Sequence, residues 1–147
     1  MKRRGVRSAI AGVLIFALSA CMSTTTHRGP SGYQIRVNEN APIPLDSGIE
    51  QKYSTTSFGQ YKFKITKDGE PVMHGLMPLK MNFGYMVMDI LFFAPAMFFN
   101  LRESFRFYEY SPEEGVLRYR QKADDPWIEY RPNADEIYHS KTFYGDQ

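Results

Sequence analysis

The chain has 147 residues, with 18 lysines and arginines against 16 aspartates and glutamates, and a formal net charge of +2. This near balance excludes the strongly basic surface that nucleic-acid binding requires. A single cysteine excludes an intramolecular disulfide. The length suits one small globular domain.

The N-terminal segment has the layout of a secretory signal peptide. Its basic start contains Lys2, Arg3, Arg4 and Arg7. An apolar run over 10–18 follows, and Ser19 and Ala20 supply small residues before Cys21. The apolar run is too short for a spanning helix. Loss of residues 1–20 removes four basic residues and no acidic ones, which leaves 14 against 16 and a net charge of −2.

The sequence Leu18-Ser19-Ala20-Cys21 resembles the lipobox of bacterial lipoproteins. The resemblance implies that Cys21 carries a diacylglyceryl thioether and that its new amine is acylated, for example with palmitate. One acyl chain binds a membrane only reversibly, so three chains imply a lasting anchor. In a Gram-negative host, Met22 in place of an aspartate implies the periplasmic face of the outer membrane. No more specific functional family is identified.

The first half of the mature chain is predicted to begin with a tether. Residues 21–32 contain the lipidated cysteine and a small, polar stretch broken by glycine and proline, in which His27 is expected to be solvated. Strands are predicted over 33–37, over 60–66 by strict alternation, and over 71–74 at a sheet edge. Residues 38–48 are predicted as a loop, and Asp68-Gly69 as a hairpin turn.

Residues 84–101, GYMVMDILFFAPAMFFNL, are almost entirely apolar. As one helix they would be about 27 Å long, close to the hydrocarbon thickness. Asp89 and Pro95 make insertion of a single span marginal. Three interpretations stay open: a buried core helix, which ranks first, an interfacial or re-entrant pair of short helices, and a true span. The residues expected to contact membrane or a partner are Met86, Ile90, Leu91, Phe92, Phe93, Met97, Phe98 and Phe99.

The C-terminal third is predicted to be an antiparallel meander followed by a helix. Strands are expected over 104–110, 116–121 and 127–130, with Trp127 inside the sheet. Asn133 and Glu136 have the spacing of a capping box, which predicts a short helix over 134–143. The expected fold class is therefore α+β and β-rich: a small antiparallel meander, one central hydrophobic helical segment and a short C-terminal helix. Residues 33–147 are expected to form a single globular domain.

No pattern of catalytic residues is found in the sequence, and we expect a non-enzymatic protein without cofactor or metal. His27, His74 and His139 lack the spacing of metal ligands, and no GxSxG motif occurs. Four aromatic residues on the predicted strands are candidates for stacking on sugars, although core packing is the more common role of such residues. These are Tyr108, Tyr119, Trp127 and Tyr130.

These observations favour a lipid-anchored cell-envelope protein with a non-catalytic accessory or structural role. Its apolar segment would contact the membrane, an envelope protein partner or a second copy, and nucleic acid is not an expected partner. The alternative is a glycan- or peptidoglycan-binding module that uses an aromatic sheet face.

Overall fold

A computed structural model describes residues 22–54, 60–81 and 102–146. Residues 1–20, which the sequence predicts to be a signal peptide, Cys21 and the apolar stretch over 84–101 lie outside the described residues. The strands are β1 (Met22–Arg28), β2 (Tyr33–Val37), β3 (Ile43–Pro44), β4 (Glu50–Ser54), β5 (Lys62–Lys67), β6 (Glu70–Leu76), β7 (Leu79–Met81), β8 (Arg102–Ser104), β9 (Phe107–Ser111), β10 (Val116–Arg120) and β11 (Ile128–Tyr130). The helix α1 spans Ala134–Tyr144.

The larger sheet has five strands in the order β11-β10-β9-β1-β4. Strands β9, β10 and β11 form the antiparallel meander that the sequence predicts. The first strand, β1, is inserted beside them, parallel to β9 and antiparallel to β4. The sheet is therefore mixed, and it unites the N-terminal strand with the C-terminal third of the chain.

The second sheet has four antiparallel strands in the order β3-β2-β5-β6. Strands β5 and β6 are joined at Asp68 and Gly69, which both have positive φ, 52° and 85°. Two successive positive φ values are the signature of a type I′ turn, which suits asparagine, aspartate and glycine. The predicted strands and the predicted Asp-Gly turn are confirmed here, and β6 lies at the sheet edge as expected.

The hydrophobic core combines side chains from both sheets. Its fully buried members include Ile35, Phe63 and Ile65 from the four-stranded sheet and Tyr108 and Tyr110 from the five-stranded sheet. Phe63 meets Tyr110 edge to face at 5.4 Å between ring centroids. Alternation along each strand gives each sheet one face toward this core.

Helix α1 packs on the outer face of the four-stranded sheet, against β5 and β6. Asn133 and Glu136 form the predicted capping box, and Gly145 closes the helix with φ of 71°. Within α1 only Ser140 is buried, and its hydroxyl donates to the carbonyl of Phe63 at 2.7 Å. The helix is therefore held to the sheet mainly by polar contacts.

The fold-class prediction is wrong. The described residues form two principal sheets and a two-stranded ribbon rather than one meander, and among them no central hydrophobic helix occurs. The described core is formed mainly by strand side chains from both sheets.

Candidate functional site

The five-stranded sheet begins at Met22, the residue that follows Cys21 in the sequence. Met22 is the first residue of β1, where the sequence predicts a flexible tether. Met22–Arg28 pairs along most of its length with β4 on one side and, at its end, with β9 on the other. The tether prediction is therefore corrected over these residues. The sheet therefore begins directly after Cys21 in the sequence.

Strands β7 and β8 form a two-stranded ribbon beside the start of β1. Leu79 pairs with Ser104, and Met81 pairs with Arg102. The hydroxyl of Ser104 lies 2.5 Å from that of Ser23 and 2.6 Å from that of Thr25. These hydroxyl contacts fix the base of the ribbon to β1.

The ribbon holds both ends of the stretch that contains the apolar segment. Paired residues of antiparallel strands have Cα atoms about 5 Å apart, so the chain leaves at Met81 and returns at Arg102 at nearly the same point.

The start of β1 and the tip of the ribbon lie at one end of the domain. Arg102 precedes Ser104 by two residues, about 7 Å along a strand, and Ser104 touches Ser23. Met22 and Arg102 are thus within roughly 20 Å of each other. Met22 and Met81 are exposed, at 52% and 44% of their surface.

A buried histidine lies near the end of β1 opposite Met22. His27 was expected to be solvated, but it is 0% exposed. Its Nε2 lies 2.8 Å from the hydroxyl of Tyr53, and its Nδ1 lies 3.0 Å from the hydroxyl of Tyr110. The Tyr53 hydroxyl donates to Gln51, so it accepts from Nε2–H, and Nδ1 accepts from Tyr110.

Burial governs the ionisation of this cluster. Desolvation lowers the pKa of His27 to about 3, because a charge would be far from water. Desolvation also raises the pKa of Tyr53 and that of Tyr110 well above the ordinary value. The groups are therefore neutral at ordinary pH, and their hydrogen bonds serve packing rather than proton transfer.

The four aromatic candidates for sugar stacking do not form one platform. Tyr108 is 0% exposed, and its hydroxyl donates to the carbonyl of Pro78 at 2.6 Å. Tyr119 and Tyr130 are half-buried against the core on the same face of the sheet. Trp127 is half-buried, and the Arg120 guanidinium lies 4.2 Å from its ring centroid. Arg120 belongs to the opposite face of the sheet, so Trp127 is outside the core and its expected position is corrected.

The remaining candidates of the sequence fall into two groups. Cys21 and the eight residues expected to contact membrane or a partner lie outside the described residues. His139 is exposed, and its Nε2 lies 3.5 Å from Asp135 Oδ2 on the same helix. The Glu136 carboxylate instead accepts from the backbone N–H of Asn133. Within the described ranges, no three histidine, cysteine or acidic side chains are grouped as a metal site would require.

Sequence reasoning missed a second cluster, which joins His74 to Asp146. His74 Nε2 lies 2.8 Å from Asp146 Oδ2, and Lys64 Nζ lies 3.0 Å from the same oxygen. The hydrogen bond from His74 is the main cause that lowers the pKa of Asp146 below its usual value. These residues are distant in sequence, so only strand register and the position of α1 bring them together.

Comparison with known proteins identifies no relative: no protein family, no curated protein and no solved structure matches the chain. Across residues 22–54, 60–81 and 102–146, helices of the length and apolar character needed to cross a bilayer are absent.

Proposed function

We propose that this chain is a lipid-anchored protein of the bacterial cell envelope with a non-catalytic accessory or structural role. Cys21 carries the lipid, and residues 84–101 contact the membrane next to that anchor. In a Gram-negative host the protein faces the periplasm from the outer membrane.

The observation that carries this proposal is the contact between the ribbon and β1. Through Ser104 and Ser23, the ribbon fixes both ends of the stretch over 82–101 beside the strand that starts at Met22. A lipid on Cys21 would hold that strand against the bilayer surface. Exposed Met22 and Met81 at the same end are compatible with an interfacial environment.

The absence of a tether over Met22–Arg28 strengthens the proposal. A flexible linker of several residues would let the domain move away from the membrane. With β1 starting directly after Cys21, the domain stays at the surface, and an apolar stretch that leaves the ribbon has lipid within reach.

The proposal is tested by closing the ribbon without the apolar segment. Because Met81 and Arg102 are register partners, an Asn-Gly pair can replace residues 82–101 as a two-residue hairpin turn. Two unacylated chains that begin at Met22, with and without this replacement, are floated with liposomes. We expect equal melting temperatures and flotation only of the chain that keeps the segment.

Several outcomes would contradict the proposal. Collapse of the shortened chain would mean that the segment is core, and equal flotation of both chains would mean that it does not contact lipid. Binding of both chains to purified sacculi would favour the glycan-binding alternative, which Trp127 alone would have to carry. Mass spectrometry of the wild-type N-terminal peptide should show an acylated Cys21, and an unmodified cysteine would remove the anchor.

A further inference from the structure

Two cationic side chains and a histidine stand in one row across the four-stranded sheet. Arg36 on β2 is the register partner of Lys64 on β5, and Lys64 is the register partner of His74 on β6. Register partners project from the same face, here the outer face that α1 covers. Like charges directly opposite each other destabilise a sheet, so this basic row needs a compensating group.

The end of α1 supplies that group. The Asp146 carboxylate accepts from His74 Nε2 at 2.8 Å and from Lys64 Nζ at 3.0 Å. The Tyr144 ring lies over the row, 5.0 Å from Lys64 Nζ and 5.7 Å from the Arg36 guanidinium carbon. The sequence Tyr144-Gly145-Asp146 therefore occupies the row as an acidic peptide would.

The row retains an unused donor. Arg36 Nε is buried and has no hydrogen-bond partner in the described part of the chain. Tyr144 covers the Arg36 guanidinium with its ring, which provides no acceptor oxygen at Nε. A ligand with a further carboxylate oxygen or carbonyl at this position would satisfy that donor.

A cleft of about 350 Å³ opens onto the same cluster. Both His74 and Asp146 line it, and its other walls come from β6, the β9–β10 turn and the start of α1. The apolar lining side chains are Pro71, Val72, Met73, Pro112, Pro132 and Ile137. The cleft combines these apolar side chains with polar groups at His74, Lys141 and Asp146, and such a combination has the character of a ligand site.

We propose that the row of Arg36, Lys64 and His74 is a binding site for an acidic peptide segment of a partner protein, which the chain's own Tyr144-Gly145-Asp146 fills in the closed state. The partner's carboxylate replaces that of Asp146, and an adjacent apolar side chain enters the cleft. The site lies on the face covered by α1, and it depends on neither the lipid nor the ribbon.

The test uses the full-length protein in detergent micelles and the peptide acetyl-Tyr-Gly-Asp-amide, which copies the natural occupant. Binding is measured by calorimetry to wild type and to Asp146→Asn. A site that is free only part of the time binds more weakly in proportion, so we expect roughly tenfold or greater tightening in Asp146→Asn. Asp135→Asn, which removes the same charge from an exposed position of α1, should bind like wild type.

Two further controls make the result specific. The peptide acetyl-Tyr-Gly-Asn-amide should not bind, and adding Lys64→Met to Asp146→Asn should abolish binding. Equal affinity of wild type and Asp146→Asn, or binding that survives Lys64→Met, would overturn the proposal. If Asp146→Asn does not fold, the comparison is made between wild type and Lys64→Met. Millimolar binding of the peptide to wild type, lost in Lys64→Met, would support the site. Absence of peptide binding to wild type would overturn the proposal.

Discussion

His27 is compatible with this fold only as a neutral imidazole. One ring nitrogen donates to Tyr53 and the other accepts from Tyr110, so both partners are satisfied. A protonated ring would have two donors and no acceptor for the Tyr110 hydroxyl, inside a core without water contact. The residue is therefore an acid-sensitive point of the core rather than part of a tether.

This arrangement gives stability a defined pH dependence. The folded pKa of His27, about 3, lies below the unfolded value of 6.5, so the unfolded state binds the extra proton between these limits. The contribution of neutral His27 to the free energy of unfolding is fully present above pH 6.5. It falls with decreasing pH by up to about 1.4 kcal/mol per pH unit. Between pH 7.5 and 4.5 we expect a loss of roughly 2–3 kcal/mol from denaturant unfolding.

His27→Gln should flatten this dependence, because an amide does not titrate in the window. The matched control is His139→Gln, which alters an exposed histidine and should retain the wild-type slope. An unchanged slope in His27→Gln would show that His27 is not the titrating group.

Trp127 is held by a cation–π contact at the sheet surface rather than in the core. We expect Trp127→Ala to destabilise the fold by about 1–2 kcal/mol, since it removes a half-buried ring and its contact with Arg120. The effect is measured by thermal melting followed by circular dichroism, because the protein has no other tryptophan that could report unfolding by fluorescence. Complete unfolding would contradict the surface position, and an unchanged melting temperature with loss of sacculus binding would favour a glycan site.

At the scale of elements, the sequence predicts those strands, turns and helices whose stabilising residues are neighbours in the chain. Strand β5 follows from strict alternation of apolar and charged residues, and the turn after it follows from Asp68-Gly69. Helix α1 follows from the Asn133 and Glu136 capping box. In each case the responsible residues are neighbours in sequence.

Strand β1 was missed because its stability comes from distant residues. The run of threonines and serine in Met22–Arg28 looks like a solvated linker, yet Thr25 is buried and bonds to Ser104 and to the carbonyl of Phe105. Buried polar groups are tolerated when such bonds are made. The partners lie about 80 positions away, so no local pattern reports them.

The candidate sites likewise depend on contacts between residues that are distant in sequence. A cluster such as Lys64, His74 and Asp146 depends on the pairing of β5 with β6 and on the packing of α1. Local sequence does not determine which face of the sheet a stacking candidate occupies, and strand register places Tyr108 and Tyr119 on the core side. The sequence shows which residues have polar or titratable side chains, but only the tertiary fold shows which of them lie together.

At the scale of the whole molecule, two surfaces with different chemistry emerge. One end gathers the start of β1 and the ribbon that holds the ends of the apolar stretch. The outer face of the four-stranded sheet holds the basic row under α1. The proposed lipid contact and the proposed acidic-peptide site therefore lie on different surfaces of the described domain.

The most direct test of the membrane contact places a single fluorescent reporter in the apolar segment. Trp127→Phe removes the only tryptophan, and Phe92→Trp introduces one at the centre of residues 84–101. The full-length protein is reconstituted in vesicles with brominated acyl chains, which quench tryptophan on contact. The control carries Tyr138→Trp, at an exposed position of α1 far along the chain from the anchor. We expect strong quenching at position 92 and none at position 138, whereas a tryptophan at position 92 that brominated lipid does not quench would contradict the proposed membrane contact.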